Sequence, residues 1–452
     1  MSSTILSLRG KVPRQPNARS RTVAPNLEYR KLRWLIVGWL TLSTILNLID
    51  RQTLSILAPL LRETFKLSQK DYSNIVSAFL ISYTVMYTVG GRLVDRFGER
   101  AGMAVCIVWW SICTMLTSLV QGALSLGIIR FLLGIGEPGN YPAALRACTR
   151  WFPKAERGLP IAIFSSGSSI GNVLAPPLIA GLTLAFGWRS AFILPGALGL
   201  LWTVVWLWMY RVPEQHIRIS PVELASLREE EAAAGEADVA RLGPPRWIDL
   251  LKNRNVLALV FARFISDPVW YFYLFYIPDY LKAERGFSLR DIGLFAWIPF
   301  VAGTLGGMCA GAVSDRLIHA GFKAVRARTL VLYVAAAIAP LGMLTSQAHS
   351  AATAIALIAV MAFVVYSWFI NTAAVIPDLF SEKVVGSVLG LMGTAGSAGG
   401  VLFAQLVGYL LTRYSYAIVF VLAGSMHVMA FLILWLFLKP QPESPAARLI
   451  PT

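Results

Sequence analysis

Four ionisable residues sit inside runs of apolar sequence. Asp50 and Arg51 close the segment Asn47-Leu48-Ile49-Asp50-Arg51, and Arg130 and Glu137 bracket Phe131-Leu132-Leu133-Gly134-Ile135-Gly136. A charged side chain at the centre of a bilayer costs at least about 2.5–3.5 kcal/mol, so each of the four needs a reason to be there. Arginine offers a planar fork of donors that grips a carboxylate through two parallel hydrogen bonds. A carboxylate in a partly dry cavity binds a proton more readily than one in water. These residue types therefore point to anion recognition by Arg51 and Arg130 and to proton coupling by Asp50 and Glu137. The competing reading is a set of buried salt bridges, and the two are compatible if a bridge in one state becomes a site in another. Arg130 and Glu137 are seven residues apart, which puts them on one helix face and about 10 Å apart along the axis. Asp50 and Arg51 are neighbours that point about 100° apart and need not satisfy each other.

Further polar groups would complete a site for a hydroxylated acid. Tyr83 and Tyr87 are one turn apart on a common face. The stretch Phe164 to Asn172 carries four serines; most are expected to bond their own backbone, leaving Ser168 and Asn172 as the better contacts. In the second part of the chain, Pro268 is expected to interrupt a helix and aim Trp270 and Tyr273 at the apolar face of a sugar, with Asn371 bonding its hydroxyls. An ordinary aromatic core is the alternative for those rings. Asp267 is a third candidate titrating group, which Arg263 one turn earlier would neutralise. The histidines and the four cysteines show no metal-ligand spacing, and no nucleophile–base arrangement appears. Neither a metal site nor an enzyme is expected.

The elements that must position these residues follow from composition. Of 452 residues 56% are hydrophobic and only 14% charged, where soluble proteins carry about 25% charge. Runs of about 20 apolar residues cross a bilayer as helices. Counting them predicts an all-α integral membrane protein with 12 spans in two six-helix halves. The divisions are a basic tail at 1–33, a first half at 34–210, a linker at 211–254, a second half at 255–438 and a tail at 439–452. A short polar helix is expected within the linker, from Glu223 to Ala234. The net charge of +16 would suggest nucleic acid in a soluble protein. Here Lys and Arg concentrate in the N-terminal tail and in alternate loops, so no nucleic acid partner is expected and both ends are placed in the cytoplasm.

An internal repeat ties the halves together. Gly91-Arg92-Leu93-Val94-Asp95-Arg96-Phe97-Gly98-Glu99-Arg100 follows the second span, and Gly311-Ala312-Val313-Ser314-Asp315-Arg316 follows the eighth. Both contain Gly-x-x-x-Asp-Arg, in which a glycine permits close helix approach and the charges make strong bonds at a helix end. Gly91, Asp95, Arg96, Arg100, Asp315 and Arg316 are thus candidates for a conformational latch. The first copy resembles the loop motif of the major facilitator superfamily. Asn47 to Arg51, Gly134 to Glu137, Ser266 to Tyr273 and Pro377-Asp378-Leu379-Phe380 are similar to its anion:cation symporters, most of all bacterial hexuronate transporters. That resemblance implies a monomeric inner-membrane importer with two rocking halves. It assigns proton carriage to Asp50 and Glu137 and substrate contact to Arg51, Arg130 and Tyr83. The implied cargo is a small anionic sugar acid, a hexuronate such as glucuronate or galacturonate, with protons as coupling ion and no cofactor. Aldonate symport is the alternative, and organophosphate exchange a more distant one.

Overall fold

The computed structural model describes residues 27–153, 156–216, 219, 224, 250–380 and 382–439. Among these residues the structure is helical throughout. The first half comprises α1 (Leu27–Phe65), α2 (Gln69–Leu116), α3 (Ala123–Gly136), α4 (Asn140–Trp151), α5 (Gly158–Phe186) and α6 (Ser190–Met209). The second comprises α7 (Arg254–Arg285), α8 (Leu289–Phe295), α9 (Ile298–His319), α10 (Ala324–Ile338), α11 (Ala351–Leu379), α12 (Glu382–Arg413) and α13 (Tyr416–Phe437). Among the described residues ten stretches are long and apolar enough to cross a membrane. Residues 69–97 and 123–151 form two more polar rods that complete twelve passes. The helix expected from Glu223 to Ala234 lies outside the described residues, apart from Leu224.

The second and third passes are two helices that follow each other within α2 without an intervening loop. α2 turns its corner at Gly98, whose φ of 78° and ψ of 161° suit a residue without a Cβ. The repeat is visible in the backbone as well as in the motif. Lys66 and Gly286 both have positive φ, 52° and 68°. Ser68 and Ser288 both cap the next helix, each exchanging hydrogen bonds with an aspartate three residues on, Asp71 or Asp291. Each pair is separated by the 220 residues that separate Asp95 from Asp315. The serine hydroxyl and backbone bonds hold both aspartates below the usual carboxylate range.

Glycines set how closely the helices approach. Gly167 and Gly171 of α5 lie against Thr41, Ile45 and Leu48 of α1, and Gly303 and Gly306 of α9 against Tyr366 and Phe363 of α11. A Cβ on Gly306 would stand 2.7 Å from the Cα of Phe363, backbone that cannot step aside. Gly306→Val is therefore expected to cost about 1–3 kcal/mol or more. A thermal unfolding midpoint in detergent equal to that of the parent would disprove this.

The halves meet through α1 with α7, α2 with α12, and α5 with α8 and α9. Many of the bonds across this seam gather toward the Phe65 and Arg285 ends of α1 and α7. Ser55 donates to the carbonyl of Leu274, Tyr72 to that of Phe275, and Gln405 to Ser77 Oγ at 2.7 Å. At the rim, buried Asp279 of the second half accepts from Arg62 at 2.7 Å, Gln69 at 2.9 Å and Tyr416 at 2.7 Å. Two of those three donors belong to the opposite half. Asp279→Asn should loosen this rim, because Arg62 loses its counter-charge. In an Ser55→Cys background, labelling by a membrane-impermeant maleimide should rise about tenfold; unchanged labelling would show the ion pair to be dispensable for the seal.

Candidate functional site

The four charges predicted inside the membrane form one cluster, with partners that spacing did not foretell. Arg51 reaches Glu137 with two nitrogens, Nε at 2.8 Å and Nη2 at 2.6 Å, both on Oε2. Glu137 Oε1 is buried without a partner among the described residues. Sequence spacing put Arg130 and Glu137 on one face of an unbroken helix. The structure ends α3 at Gly136, and Glu137 opens a short 3-10 turn, Glu137–Gly139. Pro138, which has no N–H to give the helix, sits in that turn. The irregular turn lies where Glu137 meets Arg51 of α1.

The guanidinium of Arg51 also lies 4.6 Å from the ring centre of Tyr83 and 5.7 Å from that of Phe79. Tyr83 and Tyr87 follow each other with ring centres 5.9 Å apart, and Tyr87 is exposed. Asp50 points away from this surface. It is 1% exposed, its carboxylate is close to the Thr114 hydroxyl, and its charged neighbours are Glu137 and Arg130. Arg130 is itself 2% exposed, 5.9 Å from the Phe192 ring centre. It is enclosed within the first half instead of lining the seam. Arg51 is thus the cation nearest to Tyr83, and Arg130 is buried near Asp50, Glu137 and Tyr72.

Asn172 joins the halves. Its side-chain oxygen accepts from Gln52 at 2.6 Å, and its amide donates to the Tyr366 hydroxyl at 3.2 Å. Neither Gln52 nor Tyr366 was singled out from sequence. Ser168 is half-buried on α5, beside Gly167. Trp270 stands edge-on to Tyr366 at 5.1 Å and borders an apolar cleft with Gln52, Ile56, Pro176, Tyr273 and Phe300. Tyr273 is nearly buried against Phe272 and Phe420, its hydroxyl without a partner among the described residues. Asn371 departs from expectation. It is fully buried within the second half and donates to the Ser367 carbonyl one turn back. A helix apolar on most sides gives its few polar residues no sequence signal for direction, and Asn371, like Ser367 and Thr372, bonds the backbone of its own helix. In the same half Arg263 pairs with Asp267 at 3.0 Å, as expected from their spacing.

The latch motif is held by a residue that sequence reasoning passed over. Glu99, 1% exposed, is paired with Arg146 at 3.2 Å and Arg150 at 3.4 Å, and accepts from the Tyr210 hydroxyl at 2.9 Å. Arg100 donates to the Leu207 carbonyl of α6. Arg96, Asp315 and Arg316 are exposed, and the side chains at 91 and 95 lie outside the described residues. In the second half the corresponding end is tied by Arg328 to Asp378 at 2.6 Å and to Ser314. Among the described residues no group of His, Cys, Asp and Glu is placed to hold a metal ion.

Comparison with known proteins agrees with this architecture. The chain is 33% identical over 402 residues to the probable sulfoacetate transporter of Cupriavidus necator, covering 88% of this chain and 91% of that one. It is 29% identical over 422 residues to the hexuronate transporter of Escherichia coli, covering 92% and 96%. Among solved structures, a bacterial homologue of the human lysosomal transporter Spinster, crystallised inward-facing and occupied, superposes with a TM-score of 0.71 at 18% identity. That match covers 93% of this chain and all of the other, and it speaks for the fold alone. The model of the Major Facilitator Superfamily matches residues 40–404; with twelve helical passes in two repeated halves, the chain belongs to that superfamily of membrane transporters.

Proposed function

We propose that this transporter imports a hexuronate, such as glucuronate or galacturonate, together with protons across a bacterial inner membrane. Both termini face the cytoplasm, and the protein works as a monomer. The observation that carries this reading is the Arg51–Glu137 pair beside Tyr83. In the empty carrier a carboxylate of the protein occupies the arginine fork. An arriving substrate carboxylate takes over that fork, and displaced Glu137 is neutralised by a proton. A lone buried carboxylate would cost several kcal/mol, so loading substrate and loading a proton favour each other. Arg130 compensates Asp50 and Glu137 from inside the first half, and Asp50 supplies a second carboxylate for protons. Tyr83, Tyr87 and Trp270 offer ring faces and hydroxyls to the sugar.

The bonds at the Asp279 rim support a state closed toward the outside. Rocking of the halves about the seam then opens the site to each side in turn. The Glu99 cluster braces the first half at its cytoplasmic end. The test is uptake of labelled glucuronate and galacturonate into liposomes holding the purified protein, with and without an inward proton gradient. Gradient-stimulated uptake supports the reading. Absence of uptake alongside active phosphate-ester exchange would replace it with an antiporter.

A further inference from the structure

The second half holds an arginine–carboxylate pair that the reading above leaves without a task. Arg263 and Asp267 of α7 are joined at 3.0 Å, with side chains only 7% and 11% exposed. Arg263 Nε is buried without a partner among the described residues. The remaining contacts are one long bond from Nη1 to Thr372 at 3.4 Å and the Phe369 ring 4.0 Å from the guanidinium carbon. Such a pair is a costly way to hold one helix turn, since well-packed apolar residues usually do as well.

Its surroundings face the seam. One side of α12 shows Gly393, Gly396 and Gly400, which lie against Tyr87, Asp267 and Tyr271 respectively; a Cβ at any of them would collide with its neighbour. Tyr87 comes from the opposite half, so this bare face aligns Tyr87, Asp267 and Tyr271 in one row. Arg263, Asp267 and Tyr271 are spaced four apart on α7 and share a face. Tyr271 lies within electrostatic reach of both Arg51 and Asp267. A continuous strip therefore runs from Arg51 along Tyr83 and Tyr87 to Arg263. Eight residues of helix separate the levels of Tyr271 and Arg263, about 12 Å along the axis of α7.

We propose that Arg263 is a second anion-binding residue, so that the site prefers acids with an anionic group at each end. Resting on the sugar-acid reading, this extends it from one charged end to two. One end displaces Glu137 from Arg51, and the other displaces Asp267 from Arg263. Each half of the transporter then grips one end of the cargo, which makes closure around a two-ended acid tighter than around a one-ended acid.

The test is competition against labelled glucuronate uptake in liposomes. Galactarate and galactonate are both open six-carbon acids and differ at one end only, carboxylate against CH2OH. Galactarate is expected to inhibit at a concentration at least about tenfold lower. In Arg263→Gln/Asp267→Asn, which removes both charges without stranding one, the ratio of the two inhibition constants should collapse toward one. Equal inhibition by the two acids in the parent protein would overturn the proposal whether or not the double variant folds. So would a preference that the double variant retains. Absence of glucuronate uptake by the parent would instead sink the sugar-acid reading itself, and this inference with it.

Discussion

Glu137→Gln exchanges labelled for unlabelled glucuronate across the membrane but fails to concentrate it. Glutamine keeps the shape and can still accept from Arg51, so the site and its seam persist. What is lost is the charge that a proton must cancel when the substrate arrives. A gradient of two pH units stores about 1.4 kcal/mol per unit, enough for about 100-fold accumulation per coupled proton. The parent should approach that ratio and the variant should level at a ratio of one. Because the variant leaves Arg51 without its paired carboxylate, it should also bind glucuronate more tightly. Accumulation equal to the parent's would remove Glu137 from the coupling role, and loss of exchange together with accumulation would recast it as structural.

The second large effect is expected at Arg51. Lysine in its place keeps the charge but not the fork, and Glu137 is gripped by both Nε and Nη2 of that fork. A bond to a charged group contributes about 1.5–3 kcal/mol. Losing one of the two raises the half-saturating glucuronate concentration by about 10- to 150-fold. Lysine also gives up the planar contact with Tyr83. The measurement is initial uptake against substrate concentration, read beside the unfolding temperature. A variant as stable as the parent with an unchanged half-saturation would move substrate recognition away from Arg51.

Large parts of this protein can be read from its sequence, and the limits have physical causes. The repeat is legible because Gly-x-x-x-Asp-Arg occurs twice, and the 220-residue spacing it defines also locates the paired helix caps at Ser68 and Ser288. Capping is local chemistry between residues three apart, so sequence records it. The pairing of Arg51 with Glu137 crosses 86 residues and two helices; nothing local announces it. Arg130 looked equivalent to Arg51 because both are arginines in apolar runs, and only packing against Phe192 separates them. Pro138 breaks the fourth pass, which the seven-residue spacing of Arg130 and Glu137 treats as one continuous helix, and its effect falls on its neighbour Glu137. Glu99 was hidden among the arginines of its own motif. It became visible when Arg146 and Arg150, one turn apart on α4, were brought against it.

The pairing of charges within each half has a consequence for the membrane voltage. Asp50, Arg51, Arg130 and Glu137, each in its charged form, cancel in the first half, and Arg263 and Asp267 cancel in the second. A potential of 100 mV does about 2.3 kcal/mol of work on each elementary charge that crosses it. It does none on a carrier whose moving core is neutral. The empty carrier therefore returns at the same speed whatever the potential. In the proton-coupled cycle proposed above, current then flows only with the mismatch between the charges on the cargo and the protons that accompany it.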